Sequence, residues 1–306
     1  MRIFVTGASG WIGSAVVPEL IGAGHQVLGL ARSDSSAGAI AAAGAEVLRG
    51  DLDDLDTLRA GAASSDGVIH LAFIHDFTDF EASVGADRRA IDTFGAALEG
   101  SGKPLVIASG TPAWPGRVAT ERDDFAPGSP VAARGANALA ALDLASRGVR
   151  SSVVGLPRTV HGDGDRHGFI ARLIGFARDS GVSGYIGDGS NRWPAVHRLD
   201  SAHLFRLALE NAPAGSTLHA VAEEGVPIRA VAEVIGRHLG VPTASIAPED
   251  AAAHFSWMAG FIGVDSPASS ALTRELLDWH PTQPGLLADL DKGHYFDNPT
   301  PPHNQP

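Results

Sequence analysis

The chain has 306 residues and no cysteine, long enough to bury a substantial core without disulfides, and the missing thiols exclude cysteine catalysis and thiolate metal sites. Apolar residues make up 44%, charged residues 19%, and there are 37 Gly and 19 Pro, a composition of a compact enzyme-like chain rather than a disordered one. The net charge of -12 argues against nucleic-acid or anionic-membrane partners, and without an apolar stretch of signal or spanning length a cytoplasmic protein is expected.

The first 110 residues repeat one pattern: a short apolar run rich in β-branched residues, a small-residue turn, then a helical stretch. Strands are predicted over 2–6, 26–31, 45–48, 67–72 and 105–109, with apolar residues at helical spacing between them, as over 11–23 and 82–100. This alternation predicts a doubly wound α/β fold of Rossmann type, with a parallel sheet covered on both faces. Pro18 removes a backbone hydrogen bond inside the first helix and should kink it. After a Gly/Pro-rich loop, Ser129-Pro130 reads as N-cap and first residue of a helix ending near Gly148. A strand over 151–156 follows, then helices near 169–178 and 201–210 and a strand over 217–221 that returns to the sheet. Segments 226–239 and 248–278 read as short helices. The expected division is a dinucleotide-binding domain over 1–157, its sheet completed by about 198–222. A smaller C-terminal substrate lobe comes from 158–197 and 223–297, and 298–306 form a disordered tail.

The strongest motif is Gly7-Ala8-Ser9-Gly10-Trp11-Ile12-Gly13, directly after the first strand and opening the first helix. Gly7 permits the tight turn, Gly10 lets the backbone approach a pyrophosphate, and Gly13 allows close helix–strand packing. The helix N-terminus offers free N–H groups and a positive dipole end, so Ser9, Trp11 and Ile12 join the candidate dinucleotide cradle. At the end of the second strand an acidic residue would accept ribose hydroxyls and repel a 2′-phosphate. Here the slot holds Ala31-Arg32-Ser33, which favours NADP(H), with NAD(H) remaining an alternative.

Together with the glycine motif, several further segments occur in a telling order. They are Gly50-Asp51-Leu52, His70-Leu71-Ala72, Ala108-Ser109-Gly110, Leu156-Pro157-Arg158-Thr159-Val160-His161-Gly162, and Arg192-Trp193-Pro194-Ala195-Val196-His197-Arg198-Leu199-Asp200. On these, nearly the whole chain resembles the short-chain dehydrogenase/reductase superfamily, in its extended or atypical branch related to sugar-nucleotide epimerases and dehydratases. The resemblance implies that Asp51 and Leu52 meet the adenine. It also implies that Leu71, Ala72, Pro157 and Val160 pass along the cofactor, and that Ser109 hydrogen-bonds the substrate oxygen. The chain departs from the family's Tyr-x-x-x-Lys pair. By resemblance Pro130 stands in the Tyr slot and Arg134 in the Lys slot; Arg134 can hold the cofactor ribose but cannot titrate near neutrality.

The proton must then come from elsewhere. Ser109 and Thr111 are candidate substrate-orienting hydroxyls, and His161 and Tyr185 are candidate acids. Two ligand-like clusters, His161 to His167 and His197-x-x-Asp200-x-x-His203, lack the spacing of a helical metal site, so no metal is expected. Trp114, Trp193, Phe255, Trp257 and Phe261 suggest an apolar cleft for a small molecule. The expected activity is an NADP(H)-dependent oxidoreductase acting on a small carbonyl, alcohol or imine-like substrate. An epimerase or dehydratase and a catalytically silent NADP(H) sensor are the alternatives, and a homodimer is left open.

Overall fold

The computed structural model of the protein describes residues 1–74, 79–114, 116–126 and 132–297. The apolar runs alternate with helices as β1 (Arg2–Thr6), α1 (Gly13–Gly22), β2 (Gln26–Ala31), α2 (Asp34–Ala42), β3 (Glu46–Arg49), α3 (Leu55–Ala63) and β4 (Gly67–His70). Then come α4 (Phe80–Leu98), β5 (Pro104–Gly110), α5 (Ala132–Asp143), β6 (Arg150–Leu156), β7 (Thr159–His161), α6 (Phe169–Ser180), β8 (Ser183–Ile186) and β9 (Arg192–His197). The chain continues through α7 (Arg198–Asn211), β10 (Ser216–His219), β11 (Glu223–Pro227), α8 (Ile228–Leu239) and β12 (Thr243–Ile246). It closes with α9 (Ala251–Phe255), α10 (Ala259–Ile262), α11 (Ala271–Leu277) and α12 (Leu286–Leu290).

Seven strands form a parallel sheet in the order β10-β6-β5-β4-β1-β2-β3. Because side chains alternate across a strand, β1 sends Ile3 and Val5 to one face and Phe4 to the other. The first face is covered by α1, α2 and α7 and the second by α3, α4 and α5, so the sheet is buried on both sides. A separate core gathers Ile174 and Phe176 of α6, Trp193 of β9, Val231 and Ile235 of α8, Phe255, Met258 and Leu290. Beside it lie a three-stranded sheet, β11-β9-β7, and a pair, β12-β8.

The expected elements differ from the observed ones mainly in the second half. The strand expected to Ala72 stops at His70, and the helical reading of 226–239 yields a strand to Pro227 before α8 begins. α1 runs through Pro18 to Gly22. The helix expected to end near Gly148 stops at Asp143, and a 3-10 turn over Leu144–Arg147 carries the chain to Gly148, which takes φ +72°; the Ser129-Pro130 start and the tail 298–306 lie outside the described residues.

α3 sits directly on the sheet at Gly61, where a Cβ would meet the Phe4 ring at 2.7 Å. Gly61→Val is therefore expected to lower the urea midpoint, at a cost of about 1–3 kcal/mol from overpacking. An unchanged midpoint would contradict this packing.

Candidate functional site

The turn between β1 and α1 is built on backbone contact. Gly7 has φ +66°, and a Cβ there would lie 2.7 Å from the Ala72 nitrogen; one on Gly13 would lie 2.1 Å from the Gly7 carbonyl oxygen. A Cβ on Gly10 would meet only that carbonyl, at 3.2 Å, and otherwise point into open space. Gly10 N–H donates to Gly7 O at 2.9 Å, whereas the N–H groups of Trp11 and Ile12 find no acceptor among the described residues. Ile12 caps α1 without a side-chain bond, so the helix presents its positive end to solvent beside exposed Ser9 and Gly10. Trp11 Nε1 donates to Val160 O at 3.0 Å and its ring lies under the Arg198 guanidinium, 4.5 Å away, which holds β7 beside the turn. These features fit a dinucleotide phosphate: space where a side chain would intrude, and unfilled donors around it.

Arg32, just past β2, is exposed and makes no hydrogen bond or ion pair with any described residue. Its neighbours are engaged: Ser33 caps α2 through Ser36, and Asp34 pairs with Arg49. Asp51 Oδ1 accepts from the N–H groups of Asp53 and Asp54 at 3.0 and 3.1 Å, and Leu52 is buried in the core. Among the described residues, Arg32 is thus an unpaired cation at the end of β2.

Beneath the cradle runs a buried polar chain. Thr6 Oγ1 accepts from Ala72 N–H at 3.2 Å and is hydrogen-bonded to His70 Nδ1 at 2.7 Å. His70 Nε2 donates to Asp87 Oδ1 at 3.1 Å, and Asn137 of α5 donates to Asp87 Oδ2 at 2.7 Å. Burial raises the Asp87 pKa, but the His70 and Asn137 hydrogen bonds and the Arg134 charge together hold it below the ordinary value. Arg134 lies 4.1 Å over the Phe73 ring, its pKa pushed down by burial. The segment 127–131, with Pro130 in the tyrosine slot, lies outside the described residues.

Ser109, next to last in β5, has its Oγ buried and without a hydrogen-bond partner among the described residues. Thr111 N–H continues the ladder to Leu156 O at 2.9 Å, followed by buried Pro157. Ser109 opens into a cavity of about 160 Å³ between α5, β6 and β10, lined also by Phe125, Leu139, Gly155 and His219.

The two expected acids are elsewhere. β7 turns Val160 toward the core shared with α1, so His161 points the opposite way; it is 1% exposed, with Nδ1 donating to Asp289 of α12 at 2.9 Å and its ring against His197. Tyr185 packs between the Gly189 turn and the Arg229 guanidinium, on β8. Neither lines the cavity at Ser109. The ligand-like cluster over 197–203 is likewise dispersed. His197 Nδ1 accepts from Leu199 N–H, Asp200 accepts from the N–H groups of Thr282 and Gln283, and His203 meets Glu19. His219, which the sequence does not single out, lines the cavity with Ser109, as do Asp123 and Asp124; its signal would have been the alternation of its strand, which puts it opposite core residue Leu218.

The model of the NAD dependent epimerase/dehydratase family matches residues 3–221. The chain belongs to that family. An uncharacterized protein of Schizosaccharomyces pombe is 48% identical over 298 residues, 97% of this chain and all of that protein. The 2-alkyl-3-oxoalkanoate reductase of Stenotrophomonas maltophilia is 28% identical over 259 residues, 79% of this chain and 77% of the enzyme. Among solved structures, a dTDP-glucose 4,6-dehydratase of Streptomyces venezuelae with NAD bound superposes with a TM-score of 0.78 at 20% identity, covering 97% of this chain and 98% of that one. This family fold accounts for the seven-stranded sheet and the glycine turn at the carboxyl ends of its strands. No helix among the described residues is long and apolar enough to cross a membrane.

His161 and Asp289 instead tie the last helix to β7. Burial raises the Asp289 pKa, yet the hydrogen bonds and charges of His161, Lys292 and His294 bring it below the ordinary value. A depressed carboxylate stabilises the fold above its unfolded pKa, and that contribution is lost as pH falls through the folded one. Asp289→Asn is expected to cost about 1.5–3 kcal/mol at pH 7 and to flatten the acid side of the stability curve, read from urea midpoints between pH 7 and 3. An identical pH dependence in the variant would contradict it.

Proposed function

We propose that the protein is an NADP(H)-dependent oxidoreductase acting on a small carbonyl, alcohol or imine-like substrate. The observation that carries this is Ser109, a buried hydroxyl without a partner among the described residues, at the same strand ends as the glycine cradle. A buried donor left unmade costs about 1–3 kcal/mol, which a substrate oxygen would relieve. Gly7, Gly10 and Gly13 with the N–H groups of Trp11 and Ile12 would hold the pyrophosphate, and Arg32 a 2′-phosphate. Asp51 and Leu52 would border the adenine, Leu71, Ala72, Pro157 and Val160 the rest of the cofactor, and Arg134 its ribose. Bound there, the nicotinamide supplies or accepts a hydride; Ser109 orients the substrate oxygen, with Thr111 beside it.

A small substrate is favoured over a diphosphate-bearing one by Arg192. This cation of the substrate region is already neutralised by Asp265, through Nε at 3.1 Å and Nη2 at 2.9 Å. The reductase relative supports carbonyl chemistry. NADPH oxidation measured across ketones, aldehydes, imines and enones tests the reading; cofactor binding without turnover of any of them would instead support a sensor.

Cofactor choice has its own test. The parent is expected to bind NADPH more tightly than NADH, and Arg32→Asp to reverse the order through loss of a charge-assisted contact of roughly 1–3 kcal/mol. Fluorescence titration of both cofactors against both proteins decides it. Equal affinities in the parent would remove Arg32 from the account.

A further inference from the structure

Hydride transfer to a carbonyl leaves an oxygen that must take up a proton, and the reverse reaction must release one. Ser109 alone is a poor acid or base, Arg134 does not titrate near neutrality, and His161 and Tyr185 are turned away. What stands beside Ser109 is set by the sheet register. Ser109 of β5 pairs with Gly155 of β6, and Gly155 pairs with His219 of β10. Residues in register across parallel strands place their side chains on the same face, so Ser109 and His219 flank a glycine that has none. Two strand spacings separate their Cα atoms by about 9–10 Å. The imidazole leans into that gap: a Cβ on Gly155 would lie 3.1 Å from His219 Cδ2. Both residues line the same cavity, and no hydrogen bond joins them as it stands.

The orientation of the ring is determined. His219 Nδ1 lies 2.8 Å from the Ser269 carbonyl oxygen, which only accepts, so Nδ1 carries the proton and Nε2, next to Cδ2, keeps its lone pair for the Gly155 side. The backbone is held too, since His219 N–H donates to Thr273 Oγ1 at 2.7 Å, and Thr273 in turn donates twice to Glu121 Oε1. A base oriented by a third group beside a hydroxyl is the arrangement general-base chemistry requires.

We propose that Ser109 and His219 form the proton relay of this site, in place of the missing Tyr-x-x-x-Lys pair. The proposal rests on the oxidoreductase reading of the preceding subsection. In alcohol oxidation the carbinol C–H bond breaks as hydride to the oxidised nicotinamide. The substrate O–H proton passes to Ser109 Oγ, the Ser109 proton passes to His219 Nε2 directly or through one water, and the C=O bond forms. The products are a carbonyl compound, the reduced nicotinamide and a His219 imidazolium that donates from both nitrogens. Reduction runs the same path backwards from the imidazolium. His219 acts through Ser109 and is a positioning and relay residue rather than one that touches substrate.

The surroundings favour the neutral ring. Burial lowers the His219 pKa below its ordinary value, while the Ser269 carbonyl, Glu121 and Asp123 pull the other way. Asp123 is itself held well below the carboxylate range, first by its Arg117 hydrogen bond and then by Thr120, despite burial, and exposed Asp124 stands at the cavity mouth. Across the cavity α5 contributes apolar Ala132, Ala136 and Leu139, and among the described residues it adds no charge there. Oxidation should therefore lose activity as pH falls through a value under 6.5, and reduction should gain it.

The test pairs kinetics with a spectroscopic readout in the cofactor-free protein. By ¹⁵N NMR, His219 is expected to carry its proton on Nδ1 and to titrate below 6.5, and the acid limb of kcat/KM for oxidation is expected to fall at that same value. His219→Gln, which keeps a donor toward Ser269, should lower kcat by about 10²-fold or more and abolish the limb while NADPH affinity stays unchanged. Ser109→Ala combined with it should cost little beyond the worse single variant. An Nε2–H tautomer, or a limb that survives in His219→Gln, overturns the relay. Failure of the parent to turn over any carbonyl or alcohol overturns the activity reading instead, and then the NMR arm alone decides: an Nδ1–H ring titrating below 6.5 supports the poised pair and any other state refutes it.

Discussion

A Cβ on Gly13 would lie 2.1 Å from the Gly7 carbonyl oxygen, so the first helix can start against β1 only because neither position carries a side chain. That close approach aims the unfilled N–H groups of α1 across the strand ends. It also presses Gly7 onto the Ala72 backbone, which fixes where the chain leaves β4. Thr6, one residue before, bonds the same Ala72 N–H and passes the constraint to His70, Asp87 and Asn137. One steric requirement at the turn thus organises α1, β4, α4 and α5 around a single edge of the sheet. A bulky residue at any of these glycines would shift the whole edge rather than one loop.

The second core is joined to this edge by polar ties rather than by continuous apolar packing. Trp11 reaches Val160, His161 reaches Asp289, and Gly162 N–H donates to the Tyr295 hydroxyl, which in turn donates to Asp165. Such bonds between buried groups are strong only while every partner is in place. They hold β7 and the last helix at a fixed height beside the cradle. The cavity at Ser109 lies on the other side of the sheet, walled by α5.

The parallel sheet was legible because its strands are nearly continuous apolar runs between small-residue turns, and the glycine spacing marked the turn between β1 and α1. The place of Arg32, one residue past the end of β2, was legible too. The short strands of the second half, three to six residues each, leave no periodicity long enough to read. The surroundings of His161 were not legible for a related reason: its position after the sixth strand suggested the cleft, and only the alternation along β7, with Val160 facing α1, shows that it does not line the cavity at Ser109. The proximity of His219 to Ser109 was not legible because it depends on the register of three strands that are far apart in the chain, with a glycine between them.

The proposed chemistry requires that the Gly7 to Gly13 turn seat a dinucleotide whose reactive end reaches Ser109. Titration of NADPH fluorescence against the parent and Gly10→Val, with circular dichroism on the same samples, tests it most directly. Gly10 faces open space, so a valine there is expected to leave the far-ultraviolet spectrum unchanged while filling the room a pyrophosphate needs. The account predicts saturable binding to the parent and none to the folded variant; NADPH binding of equal affinity to both proteins would contradict it.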